Sequence, residues 1–269
     1  MSRLALGTLS IIVIAALAGP LVSPYSPVEQ NLDRRFEAPG ARGHFLGTDE
    51  FGRDVATRLV WGARSAFTTA GLGVLIAAMA GIPLGLAAAL ERRILDPTLT
   101  LLLDAALSFP GVLLAIALIA VLGSGALQVS IALGVMFAPL FARTVRAETL
   151  SVVNEGYVAI SRGLGTPLIR TVYMHIVPNV LPNILVIATS SFAIAITIEA
   201  ALSFLGLGSQ PPTPTWGLML REARNYLRVA PHLAILPGVV LALCVYALNA
   251  LGDALSSWFD RTHSSASRI

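Results

Sequence analysis

Long apolar runs constrain this chain more than any other feature. Two of them are TTAGLGVLIAAMAGIPLGLAAAL, residues 68–90, and ILVIATSSFAIAITIEAALSFL, residues 184–205. A helix needs roughly 18 or more such residues to cross a hydrocarbon layer about 30 Å thick, and it satisfies its backbone polar groups internally. Short alternating strands that would close a transmembrane barrel are not seen in the sequence. The chain therefore reads as an all-α, polytopic membrane protein. Its composition agrees, with 55% hydrophobic residues, 12% charged residues and a mean hydropathy of +0.78.

Six helices are expected, over residues 4–22, 65–90, 98–123, 126–142, 183–205 and 232–252. The first carries Arg3 and the small residues Ala16 and Ala18 around a short apolar core, so a retained helix and a cleaved signal peptide both fit. In the second, Gly81 and Gly85 form a small-xxx-small face where another helix can approach closely. Pro83 and Pro110 predict local kinks. With both chain ends on one side, the polar stretches 23–64 and 206–231 fall on one face. Residues 91–97, 143–182 and the C-terminal tail fall on the other. Arginine asymmetry does not orient the chain, because nine arginines fall on each face.

All 18 basic residues are arginine. A phosphate-binding loop of the G-x-x-x-x-G-K-[ST] type requires a lysine, so ATP hydrolysis by that route is excluded and any ATP energy must come from a partner. No HExxH or GxSxG motif occurs, and His44, His175, His232 and His263 are scattered through unlike segments, which argues against an enzyme or a metal site. The single Cys244 allows no internal disulfide and reads as a small packing residue. A net charge of +3 is weak evidence for a nucleic-acid partner. Asp104 and Glu199 fall within predicted spans, where carboxylates are costly. Proton coupling is one reading of them; a neutralised or capped carboxylate that holds helix packing is the more economical one. Asp253 reads as a boundary charge.

The stretch YVAISRGLGTPLIRTVYMHIVPNVLP, residues 157–182, is half polar between two apolar segments. A short amphipathic helix is expected over about 155–164, stopped by Gly165 with Pro167 close behind. Tyr157, Ile160 and Leu164 fall on one face of it. An amphipathic pattern alone equally fits a helix lying on lipid.

Gly165, nine residues, then His175, Val177 and Pro178 match part of the cytoplasmic loop signature of permease subunits in bacterial ABC importers. Tyr157, Arg162, Leu164 and Gly165, followed by His175, Val177, Pro178 and Asn179, resemble more closely the loop of the dipeptide, oligopeptide and nickel permease family. HFLGTDEFGRDVATRLVWGAR (residues 44–64) and EAALSFLGLGSQPPTPTWGLML (residues 199–220), with Pro237, Gly238, Asn249, Gly252 and Asp253, extend that resemblance over residues 44–260. It is closest to the second, C-type, permease subunit of the peptide systems. The sequence departs from the family pattern at Ala159, Ile160, Ser161 and Gly163, and Leu101 stands where an arginine often separates Asp96 from Asp104. These departures bear on partner choice and local charge balance.

The resemblance implies a type I ABC importer permease fold and a multi-pass protein of the bacterial inner membrane. It divides the chain into an N-terminal helix and external segment (1–64), a permease core (65–260) with the loop 143–182, and a cytoplasmic tail (261–269). It implies binding-protein-dependent import of peptides or, less often, nickel or another small solute, by alternating access. The implied partners are a second permease subunit, two ATP-binding subunits that hold ATP and Mg2+, and an external substrate-binding protein; this chain itself holds no cofactor. The face of Tyr157, Ile160 and Leu164 would seat in a groove on an ATP-binding subunit, with Glu155 and Arg162 as peripheral charges tuning register. Trp216, Met219 and Tyr226 read either as anchors for the binding protein or as aromatic-belt residues. A self-sufficient secondary transporter is the competing class, but the chain shows no internal repeat.

Overall fold

The computed structural model describes residues 3–41, 43–91 and 95–266. Helix α1 (Arg3–Val22) packs against α2 and α10 and buries Ile12 and Ala16. An irregular segment with one short 3-10 turn at Leu32–Arg34 leads to α2 (Val55–Leu90). The start of α2 is fixed by Asp54, whose carboxylate accepts from the Thr57 amide and hydroxyl, each at 2.7 Å.

Helices α3 (Leu95–Ser108) and α4 (Gly111–Leu122) replace the single span expected over 98–123. They meet at 90°. Pro110 is the cause: it carries no N–H, and its ψ of 112° leaves the helical region. Helix α5 (Ala126–Val153) continues well beyond residue 142, through Pro139 and into a charged continuation. A short α6 (Gly156–Gly163) follows. Next, α7 (Leu168–Thr171), a π-turn over Val172–Ile176 and α8 (Val177–Phe204) run on as one helical stretch that starts before the expected residue 183. After a proline-rich loop come α9 (Trp216–Ala223) and α10 (His232–Ala266), which passes the expected end at residue 252.

Among the described residues, four helical stretches are long and apolar enough to cross a membrane: Val55–Leu90, Ala126–Val153, Leu168–Phe204 and His232–Phe259. The bent α3–α4 pair makes a fifth if it counts as one span. The α2–α5 pairing is the most extensive in the fold. Glycine makes it possible: a β-carbon at Gly81 would lie 2.6 Å from the Ala138 carbonyl oxygen, and one at Gly85 would meet the Ala142 carbonyl oxygen. The main core fills the space among α2, α5, α8 and α10, while a smaller cluster of Val145, Val152, Val158, Ile176 and Val180 lies at the end that carries α6.

Candidate functional site

At that end, α6 is fastened to the chain on one side only. Val158 and Ile176 are fully buried in the small cluster. Around them, the Tyr157 ring meets the His175 ring edge-on at 5.7 Å, and the Asn179 amide donates to the Tyr157 hydroxyl at 3.3 Å and to the His175 carbonyl at 2.6 Å. Three residues of the loop signature are therefore brought together, while Val177 and Pro178 open α8. Helix α6 ends where Gly165 takes φ = +85°, a conformation costly for side chains other than glycine. The Thr166 amide closes back to the Ser161 carbonyl at 3.2 Å, the six-to-one bond of a Schellman cap.

Among the described residues, nothing covers the other side of α6. Tyr157, Ile160 and Leu164 are 47%, 66% and 83% exposed, and Glu155 is exposed beside them. Arg162 lies on the same helix, with its side chain outside the described residues. The exposed apolar surface continues over Leu168, Ile169, Tyr173 and Met174. An exposed apolar surface of this kind takes cover from another protein or from lipid.

The opposite end holds a buried charge network. Arg53 and Arg58 are buried among three carboxylates. Arg53 reaches Asp49 at 2.6 Å, Glu222 at 3.1 Å and Glu50 at 3.4 Å, while Arg58 reaches Glu222 at 2.9 Å and Asp49 at 3.3 Å. Burial pushes the Glu50 carboxyl up from its ordinary range, with the Asp49 and Glu222 charges adding to the shift; its own backbone hydrogen bond and Arg53 pull the other way. His44 Nδ1 lies 2.8 Å from the Asp54 carboxylate. This network ties the segment before α2 to α9, so the two long polar stretches form one clamped unit.

Trp216 and Met219 belong to that unit's core. They are 0% and 6% exposed, and the Trp216 indole N–H donates to the Leu59 carbonyl at 3.0 Å. Neither is a surface anchor or a belt residue: Trp216 packs against α2 at Gly62, and Met219 is buried in the main core. Tyr226 is half-buried and packs its ring on Phe36 at 4.9 Å.

The carboxylates of the predicted spans separate in character. Asp104 is partly exposed and pairs with Arg143 at 3.1 Å, and Asp96 pairs with Arg146 at 3.0 Å. The arginine missing at Leu101 is thus supplied twice over by the charged continuation of α5. Glu199 is buried on α8; one oxygen accepts from the Ser203 hydroxyl at 2.7 Å and the other has no hydrogen-bond partner. His44, His175 and His232 stand apart in the fold, and the His263 side chain lies outside the described residues. Among the described residues no cluster of three or more His, Cys, Asp or Glu side chains is placed to hold a metal ion.

Solved structures share this architecture. The chain aligns with the MetNI methionine ABC transporter in inward-facing forms at a TM-score of 0.61 and 20% identity, covering 74% of this chain and 94% of that one. An amino acid ABC transporter crystallised with histidines gives a TM-score of 0.57 at 17% identity, covering 76% and 94%. The fold is that of a type I ABC importer permease. The family model described as "binding-protein-dependent transport system inner membrane component" matches residues 81–264, and the chain belongs to that family. Similar curated proteins are the di/tripeptide transport system permease DppC of Pseudomonas aeruginosa (40% identical, covering 93% of this chain and 84% of that protein) and the dipeptide permease DppC of Alkalihalophilus pseudofirmus (38%, covering 92% and 81%). The glutathione permease GsiD of Pectobacterium atrosepticum is 39% identical, covering 85% and 75%. This chain is a multi-pass membrane protein and a permease subunit of an ABC importer.

Proposed function

We propose that this chain imports short peptides across a bacterial inner membrane as one of two permease subunits, driven by ATP-binding subunits that dock on α6. The observation that carries the proposal is the one-sided fastening of α6: its Val158 face is locked to the ends of α5 and α8, and its Tyr157, Ile160 and Leu164 face is free. Such a helix transmits a push as a rigid body. Closure of the ATP-binding subunits then shifts the permease pair between inward-open and outward-open packings. ATP and Mg2+ belong to those subunits. Functionally the chain divides into residues 1–64, a core over 65–260 with the loop 143–182, and a tail over 261–269.

The permease partner in this proposal is a different chain, and the clamped stretches at the far end receive a substrate-binding protein. The choice of peptides is supported by the di/tripeptide and dipeptide relatives. Glutathione, itself a tripeptide, is the second reading, supported by the GsiD relative.

Gly165 provides the test. A valine there must adopt φ near +85°, which costs an L-residue about 1–2 kcal/mol or more and loosens the end of α6 while leaving open space around it. Gly165→Val is expected to reduce ATP-driven uptake by about tenfold, with insertion and assembly intact and Gly165→Asn retaining most uptake. Uptake unchanged in Gly165→Val contradicts the role given to this helix.

A further inference from the structure

Beside the clamped unit, three separate chain segments line an open cavity of about 480 Å³, within the range of small-molecule sites. Trp61, Arg64 and Thr68 line it from one face of α2, Ser124 from the α4–α5 turn, and Gln210 from the proline-rich loop. Two observations mark it as unfilled by the protein itself. Thr69 stands at the cavity wall and is 3% exposed, with no hydrogen-bond partner for its hydroxyl; the Ser130 hydroxyl donates to the Thr69 backbone carbonyl at 2.9 Å and to the Ala126 carbonyl at 3.0 Å. Arg64 rests with its guanidinium 5.6 Å from the centre of the Trp61 ring and has no carboxylate partner among the described residues. Its neighbours Arg53 and Arg58 are by contrast both bound to carboxylates of this chain.

We propose that this cavity is a transit site for the carboxylate group of the imported solute, with Arg64 as the cation. The inference rests on the import reading above and adds a binding site to it. A planar guanidinium held against an aromatic ring and freed of internal carboxylates matches the geometry of an incoming carboxylate. The surrounding hydroxyls suit the polar backbone of a short peptide and show no selectivity for its side chains.

The experiment uses the full transporter with Thr68→Cys as the reporter and Cys244→Ala removing the native thiol of this chain. Labelling of the reporter by a sulfonated maleimide is followed with three probes: dialanine, N-acetylalanine and dialanine amide. Both carboxylates are expected to slow labelling and the amide is not, and Arg64→Gln weakens the protection about tenfold, the loss of one charge-assisted hydrogen bond. In proteoliposomes Arg64→Gln also lowers ATP-driven dialanine uptake about tenfold while the delivery protein still stimulates ATPase activity, and Arg64→Lys restores most of the uptake. Equal protection by the amide, protection unchanged in Arg64→Gln, or protection by the unliganded delivery protein alone overturns the assignment. A wild-type transporter protected by both carboxylates but unable to accumulate dialanine supports the cavity site and contradicts the peptide-import reading.

Discussion

Replacing Gly85 with valine is expected to force α2 and α5 apart and to leave little folded transporter in detergent. A β-carbon at this position would already meet the Ala142 carbonyl oxygen and lie 2.8 Å from the Val145 β-carbon, so three added carbons have nowhere to go. The obstacle is backbone, which a rotamer change cannot move aside. Overpacking of this kind costs about 3 kcal/mol, and here it falls on the most extensive helix pair of the fold. Gly71→Ala is the control: its β-carbon meets only the Phe192 ring at 3.6 Å, an ordinary contact, and alanine suits a helix better than glycine. Thermal unfolding of the purified protein should show a large loss for Gly85→Val and none for Gly71→Ala. Equal stability of the two variants would mean that α2 and α5 do not rely on this close approach.

The second large effect is expected at Glu222. Its carboxylate serves both Arg53 and Arg58, whose side chains are 5% and 1% exposed. Glu222→Ala leaves two guanidinium groups sharing Asp49 and Glu50 in a dry site. Arg58 keeps only its longer contact to Asp49, and the loss of its shortest charge-assisted hydrogen bond is expected to cost about 1.5–3 kcal/mol. Residues 23–54 should then loosen from α9 and become sensitive to protease, while the end that carries α6 is unaffected. A loss below about 1 kcal/mol, the range of exposed pairs, would show that the network is hydrated and not structural.

These two sites also show what the sequence can and cannot convey. The Gly81 and Gly85 face is legible because its spacing lies within one helix and the requirement for small residues is local. The stop at Gly165 is legible for the same reason. The network around Glu222 is not, because Arg58 and Glu222 are 164 positions apart and no local pattern announces their meeting. Helix ends are not legible where hydropathy is the only guide. Helix α5 runs past Arg143, where its arginines pair with Asp104 and Asp96 on α3, because a helix satisfies its own backbone and need not stop where the apolar run stops. Pro110 turns a kink into a 90° break, while α5 and α8 carry Pro139 and Pro182 without ending. Trp216 and Met219 suggest a surface by residue type, yet α9 carries both into the core.

The central claim is that the free face of α6 seats on an ATP-binding subunit. Cross-linking tests it most directly, with Leu164→Cys as the reporter, because that side chain is 83% exposed and projects away from the small cluster. In the assembled transporter with Cys244→Ala, a short thiol-to-amine cross-linker is predicted to join residue 164 to an ATP-binding subunit, with a yield that changes when ATP is added. Labelling of residue 164 by lipid-borne probes, with no protein cross-link in either nucleotide state, would place α6 on the membrane surface and contradict the account.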